Sequence, residues 1–309
     1  MASLKTGNTR RKNATSGSSK TAQQQTASSP LSSQAQDYSK SSSQIINTLT
    51  ALTTPLTTAL THAAPTIIVL AIVCTAWQIS ADKNPTVARA FASPSAIIEA
   101  VRLNWPTLTM HLSVTIFEAA WGFALAVVIG ILLGVALYLW SLANAAFMPI
   151  LTTIQTLPLI SITPFVLWWF GFDEIGKIVL VAVFGAFPIA IQTSRGLRAV
   201  PQYFADVALT CGATRSWTLW HVLIRVATRQ IFSGIRIAGT YTLGTAATAE
   251  YMGSRRGIGI FLQSAYNSFQ APLVWACTLS IALLTGILML VIVATERIML
   301  GDPEQDLID

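Results

Sequence analysis

Charged side chains vanish from this sequence over three long stretches. Ser41 to Ala81, Ala119 to Phe172 and Gly257 to Thr295 contain no Asp, Glu, Lys or Arg. A helix that crosses a bilayer needs about 20 mostly apolar residues, so each run is long enough for a crossing. The second is too long for one and reads as two helices with a turn near Ser141 to Asn144. Composition agrees: 10% of residues are charged and 53% hydrophobic, against about 25% charged in an ordinary soluble domain. The expected architecture is an all-α integral membrane protein with about six transmembrane helices. They are placed at Ala63–Ser80, Thr109–Trp140, Ala145–Phe170, Ile175–Thr193, Ile231–Tyr251 and Pro272–Met299.

Around that core the chain divides into three parts. Residues 1–60 are rich in Ser, Thr and Gln and bury too little apolar surface to offset the entropy of ordering, so a disordered cytoplasmic tail is expected. Residues 61–300 form the membrane domain, and 301–309 form an acidic tail. The first apolar run begins only near Ala63, later than the apolar core of a cleavable signal peptide, so the first span should stay in the mature chain. Ser93 and Pro94 can start a short interfacial helix ahead of the second span. Cys74, Cys211 and Cys277 are too widely spaced for a metal site or a disulfide framework and read as packing residues.

A net charge of +6 taken alone suits nucleic acid or a membrane surface, and position decides for the membrane. Lys5, Arg10, Arg11, Lys12, Lys20 and Lys40 sit in the tail. Arg195, Arg198, Arg215, Arg225 and Arg229 lie between the fourth and fifth spans. Basic residues are retained on the cytoplasmic side, so both segments belong inside, and an even number of crossings puts both termini there. The turn at Asp173, Glu174 and Lys177 is short and net acidic, as expected outside.

About 35 residues separate the fourth and fifth spans, long for a mere connection. Pro201 can start a helix and Gly212 can end it in a left-handed turn. Thr214 or Ser216 can then cap a second short helix through Trp217 and Trp220. Ala208 and Gly212 also have the spacing of a DNA-binding helix-turn-helix, which spans on both sides would pin at the bilayer. A plain surface loop among lipid headgroups is the bland reading, and an element that docks on a cytoplasmic protein is the third.

The segment Asp206 to Arg225 resembles the cytoplasmic loop of permease subunits of bacterial ABC importers. Its pattern is Glu-Ala-Ala, three residues, Gly, nine residues, Ile-x-Leu-Pro, here represented by Asp206, Val207, Ala208, Gly212, Val222, Ile224 and Arg225. Further matches are Ser93-Pro94-Ser95-Ala96, Leu157-Pro158 with Pro164, Trp169-Phe170-Gly171-Phe172, Ala249-Glu250-Tyr251-Met252-Gly253 and Gly257-Ile258-Gly259. Together these resemble the nitrate, sulfonate, taurine and thiamine-precursor branch, over about Phe91 to Met299. The resemblance implies the six-helix permease fold with cytoplasmic coupling helices between the fourth and fifth spans. It also implies docking of Asp206, Val207, Ala208, Leu209, Gly212, Ala213, Trp217, Trp220 and Val222 on a separate ATPase that holds ATP and Mg. A second permease copy and an extracytoplasmic solute-binding protein complete the implied complex. Arg225 and Arg229 stand where relatives carry proline, so a straighter entry into the fifth span is expected, with Arg225, Arg229 and Arg236 on one stripe meeting phosphates or the ATPase.

Within the membrane, Glu118 and Glu250 are the acids nearest the spans, and such acids are functional by default. An ion-coupled carrier would use them. Both fall near expected helix ends, where water or an arginine can satisfy them, so a structural or gating role is preferred. Thr240, Gly244 and Thr248, with Tyr241 and Thr245 beside them, give the fifth span a small, hydroxyl-bearing face that either packs on another helix or lines the path with Thr152, Gln155 and Thr156. Gly130 and Gly134 read as a packing pair. The chain has no complete phosphate-binding loop, since Gly176-Lys177 is followed by Ile178, and no metal cluster or nucleophile–base pair. It is therefore expected to be a translocating subunit and not an enzyme, with no cofactor of its own and no nucleic-acid partner. The best substrate expectation is a thiamine-precursor pyrimidine, on Asn267-Ser268-Phe269-Gln270, then sulfonate, taurine or nitrate. The rivals are a secondary transporter, which should show paired broken helices, and a non-transporting membrane scaffold.

Overall fold

The computed structural model describes residue 65, residues 68–83 and residues 91–301; the expected N-terminal tail and the acidic residues 302–309 lie outside them. The chain divides into two units, Met1–Ala71 and Ile72–Asp309. In the first, residues 68–71 are helical. In the second, residues 72–83 are helical and are followed by α1 (Pro94–Leu103), α2 (Trp105–Leu139), α3 (Ser141–Ile154), α4 (Leu159–Phe170), α5 (Glu174–Ala199), α6 (Gln202–Thr210) and α7 (Arg215–Thr218). A π turn (Leu219–Leu223), α8 (Ile224–Tyr251), α9 (Ile258–Asn267) and α10 (Ala271–Leu300) complete it, with no strand among the described residues. Ser93 caps α1 by accepting the Ala96 N–H at 3.4 Å, with Pro94 in the first turn.

The centre of the bundle is the contact between α2 and α5. Gly122 lies against Val181, Ala126 against Gly185, Gly130 against Ile189 and Gly134 against Thr193, every pair 59 residues apart. A constant offset means that the two helices run parallel. A Cβ on Gly130 would sit 2.7 Å from the Ile189 Cβ and one on Gly134 2.8 Å from the Ala190 carbonyl, so glycine is what lets the backbones approach, as small residues do between helices in lipid. Glu118 and Lys177 occupy the same register and form a buried ion pair, with side-chain exposures of 0% and 4%. Lys177 Nζ also donates to Ser254 Oγ at 2.9 Å. This corrects two expectations: Lys177 is buried inside α5 and not in an exposed turn, and Glu118 is met by this lysine, well inside a longer helix than expected.

α8 runs antiparallel to α5: Gly196 meets Gln230, Gly234 meets Gln192, and the Tyr241 hydroxyl donates to the Phe184 carbonyl at 3.3 Å. α10 in turn runs antiparallel to α8, with Gly239 against Ile292 and Arg236 paired to Glu296 at 2.9 Å. Arg236 is thus tied to a neighbouring helix, with 40% of its side chain exposed. Ala126, Ile189, Ile231, Phe232, Ile235, Ala238 and Ile292 form the core where these helices meet. Leu283, Leu290 and Ile298 of α10 face outward, as a lipid-facing surface requires.

The expected third span is not one helix. It breaks between Ile154 and Leu159, and α3 and α4 meet at a bend of 108°. Pro158 has no N–H to continue the ladder and pushes Leu157 away from helical geometry. Because α2 and α5 are parallel, the bent pair must return the chain from the end of one to the start of the other and counts as a single crossing. Among the described residues α2, α5 and α10 are long and apolar enough to cross a membrane, and α3 with α4 makes a fourth when the bent pair is taken as one span. α8 runs the length of the bundle beside α5 but carries Arg225, Arg229, Arg236 and Glu250, charges tolerated at depth only where protein or water surrounds them.

Two outcomes follow for stability. Gly130→Leu should cost about 1–3 kcal/mol by overpacking, read as a lower melting midpoint in lipid nanodiscs, whereas Gly286→Ala, whose new Cβ meets nothing within 4 Å, should leave the midpoint unchanged. Glu118→Leu or Lys177→Met alone should each cost about 3–5 kcal/mol, because the partner charge stays buried without its counter-charge, while the double replacement should cost less than either single one; a double-mutant cycle in the same nanodiscs measures the difference.

Candidate functional site

The segment between α5 and α8 folds as helix, turn, helix. α6 ends in a Schellman turn, with Gly212 N–H donating to the Leu209 carbonyl at 3.0 Å and Ala213 N–H to Ala208 at 3.1 Å. Gly212 takes φ +88°, in the region that glycine enters without strain. Thr214 then caps α7 by accepting the Trp217 N–H at 3.3 Å. The two helices enclose an open, mostly apolar cavity of about 850 Å³. Of the expected docking residues, Val207, Ala208, Gly212, Ala213, Trp217 and Val222 line it, whereas Asp206, Leu209 and Trp220 do not. Trp217 is half-exposed and stacks on His221 at 4.6 Å. Tyr203, Phe204 and Cys211 also line the cavity. Sequence reasoning did not choose them for the site, although two adjacent aromatics one turn before the acidic position are a visible cue. From α7 the chain continues without interruption through the π turn into α8, consistent with arginine in place of proline at 225 and 229.

A second cavity, of about 240 Å³, lies at the break between α3 and α4. Gln155, Leu157 and Leu159 from the break meet Phe184 of α5 and Ile237, Tyr241 and Thr245 of α8. Three of the expected path residues, Gln155, Tyr241 and Thr245, are therefore brought together. Thr152 and Thr156 are exposed and bond to the carbonyls of Met148 and Thr153. Thr240 is exposed and Thr248 half-buried. A Cβ on Gly244 would meet nothing within 4 Å, so this stripe is not spent on close packing to another helix within the chain. Phe184 carries no local signal in an apolar helix; only the α5–α8 contact places it here.

Glu250, expected beside Arg255 and Arg256, is instead wholly buried at the end of α8. Its Oε1 accepts from Thr115 Oγ1 at 2.6 Å and its Oε2 from the Gly259 N–H at 2.7 Å. Thr115 Oγ1 in turn accepts the Ile258 N–H at 2.9 Å, and His111 Nδ1 accepts the Gly257 N–H at 3.1 Å. His111 stacks on Phe261 at 4.9 Å. A carboxylate at a helix N-terminus meets both its free N–H groups and its dipole, so α8 and α2 together seat the start of α9. The motif Gly257-Ile258-Gly259 is explained by this seat: a Cβ at Gly257 would strike the Glu250 carboxylate and one at Gly259 the Ala247 carbonyl. Thr115 and His111 escaped the sequence reading because their partners lie more than 130 residues away.

Known proteins agree with this architecture. Residues 90–299 match the family described as binding-protein-dependent transport system inner membrane component. The chain is 28% identical over 215 residues to the formylaminopyrimidine transport permease protein ThiX of Halalkalibacterium halodurans, covering 69% of this chain and 84% of that one. It is 30% identical over 213 residues to the putative aliphatic sulfonates transport permease protein SsuC of Bacillus subtilis (67% and 75%), and 29% over 191 residues to the taurine transport system permease protein TauC of Escherichia coli (62% and 70%). A solved structure of the MetNI methionine ABC transporter superposes on 64% of this chain and 97% of its own with a TM-score of 0.52 at 21% identity, which shows the fold. The match over most of the helical bundle places this chain in the binding-protein-dependent inner membrane component family: it is an ABC transporter permease subunit of the plasma membrane and not an enzyme.

Proposed function

We propose that the turn at Gly212 is the element through which this permease receives work from its ATPase, and that the permease imports a small organic solute by alternating access. The observation that carries the reading is the apolar cavity between α6 and α7, open to solvent and floored by the Gly212 turn. An exposed apolar patch of this size on a membrane domain's polar end marks a place for a partner. Small residues at Ala208, Gly212 and Ala213 permit close backbone approach, and Tyr203, Val207 and Trp217 supply anchors of the kind that dominate interface energetics. Asp206 lies outside the cavity and contributes at its rim.

Arg195, Arg198, Arg215, Arg225 and Arg229 cluster at the same end of the bundle, which by the basic-residue rule is cytoplasmic. Both termini then lie in the cytoplasm, ATP and Mg belong to the ATPase partner, and the solute-binding protein delivers from the other face. Two permease copies together enclose the path. The chain's similarity to permeases named for formylaminopyrimidine, sulfonates and taurine supports a small organic solute, with a thiamine-precursor pyrimidine first and sulfonate, taurine or nitrate after it. Glu118 and Glu250 act in this reading as fixed points of the outer gate, because both are locked into contacts that join α2, α5, α8 and α9.

Affinity purification of the full chain from its host should retain the ATPase. Gly212→Trp projects a bulky side chain from the tip of the turn and should lower retention about tenfold or more, the scale of a lost interface anchor. Gly212→Asn tolerates the left-handed conformation and should keep most of it. Wild-type retention by Gly212→Trp would overturn the docking assignment.

A further inference from the structure

We infer that the cavity at the break between α3 and α4 is a resting site for the solute, and that it takes an uncharged, planar heterocycle bearing N–H donors and not an anion. The inference deepens the importer reading above and rests on it.

Depth is the first argument. Phe184 stands near the middle of the 26-residue α5 and Tyr241 past the middle of the 28-residue α8, at about 15 Å from the helix ends nearest Lys177 and Tyr251, given a rise of about 1.5 Å per residue. The cavity between them is therefore halfway through the bundle. A broken helix at such depth is tolerated where its backbone is buried in protein or lines a cavity, and the break at 155–158 borders this one. Discontinuous helices at mid-depth are a recurrent way to build a solute site in a transporter.

Chemistry is the second. No charged side chain lines the cavity. An anion stripped of water at this depth would need a cation or several donors to offset its desolvation. Both hydroxyl donors are already committed: the Tyr241 hydroxyl proton goes to the Phe184 carbonyl at 3.3 Å and the Thr245 hydroxyl proton to the Tyr241 carbonyl at 2.9 Å. Both hydroxyl oxygens keep acceptor lone pairs, which repel an anion and attract N–H groups. Gln155 adds an amide with both an acceptor and two donors, which suits a ring carrying an exocyclic amine beside a ring nitrogen. Phe184, Leu157, Leu159 and Ile237 provide the apolar walls for its faces. A volume of about 240 Å³ lies below the usual range for drug-sized ligands, about 300–1,000 Å³, so the occupant is about the size of one substituted ring.

The end of the bundle nearest Lys177 is also free of anion selection. A wider recess of about 790 Å³ lies at the end of the bundle marked by Lys177, lined by Asp173, Glu174, Lys177, Arg255 and Arg256. Lys177 is neutralised by Glu118, and the two arginines are matched by the two acids. Pores that select by charge present a ring of one sign, and this recess presents none.

The test is equilibrium binding of tritiated formylaminopyrimidine to the full chain, purified with its ATPase and placed in nanodiscs. Excess taurine or methanesulfonate should fail to compete. Gln155→Leu, Tyr241→Phe and Thr245→Val should each raise the Kd about five- to tenfold, the effect of one neutral hydrogen bond, with ATPase retention unchanged. Displacement by taurine or methanesulfonate, wild-type affinity in all three variants, or no binding by a wild-type complex that still holds its ATPase would each overturn the site. Absence of the ATPase from the wild-type preparation would overturn the importer reading itself.

Discussion

Everything in this bundle is positioned by one contact, the parallel seam between α2 and α5. Three glycines on α2 and one on α5 bring two backbones together at a constant offset of 59 residues. In lipid there is little hydrophobic drive between helices, so such close van der Waals packing does the work of a core. Parallel neighbours cannot be joined by a short turn. The seam therefore forces the intervening chain to come back through the bundle, and the bent α3–α4 pair is that return. It also sets α8 in the groove beside α5, and from there α10 and the seat of α9.

The ion pair of Glu118 and Lys177 belongs to the seam as much as the glycines do. Buried pairs seldom add net stability over a well-packed apolar replacement, because both charges lose their hydration. What a pair adds at this point is register. A slip of one residue along the seam would separate two charges with no water to receive them, a cost that apolar side chains alone would not impose. Ser254, bonded to the same lysine, extends this register to the loop after α8.

Much of this was legible in the sequence, and the reasons for what was not are physical. Charge-free runs marked most of α2 and α10 because hydrocarbon excludes charge over a fixed thickness. Ser93-Pro94 marked the start of α1 and Gly212 the end of α6 because capping is local chemistry, readable within four residues. The break at Pro158 was passed over because the residues around it stay apolar, and hydropathy is blind to the direction of a helix. Lys177 was misplaced for a related reason: a lysine close to Asp173 and Glu174 looks like part of a polar turn until the seam brings Glu118 to it. The mid-depth cavity was half legible. Gln155, Tyr241 and Thr245 announce themselves as polar residues in apolar surroundings, whereas Phe184 and the leucines that complete it become neighbours only through tertiary packing.

The uninterrupted helical run from Arg215 through the π turn to Tyr251 has a mechanical consequence. Thirty-seven residues at a rise of about 1.5 Å make a helical path about 55 Å long. One end is fixed to the bend at Gly212 and the other to the carboxylate that holds α9. Relatives that carry proline in its first turns would bend there and absorb part of a displacement. With arginine at 225 and 229 the helical run passes both positions without a break, so the Gly212 bend and the seat beneath α9 stand at the two ends of one continuous stretch of helical backbone.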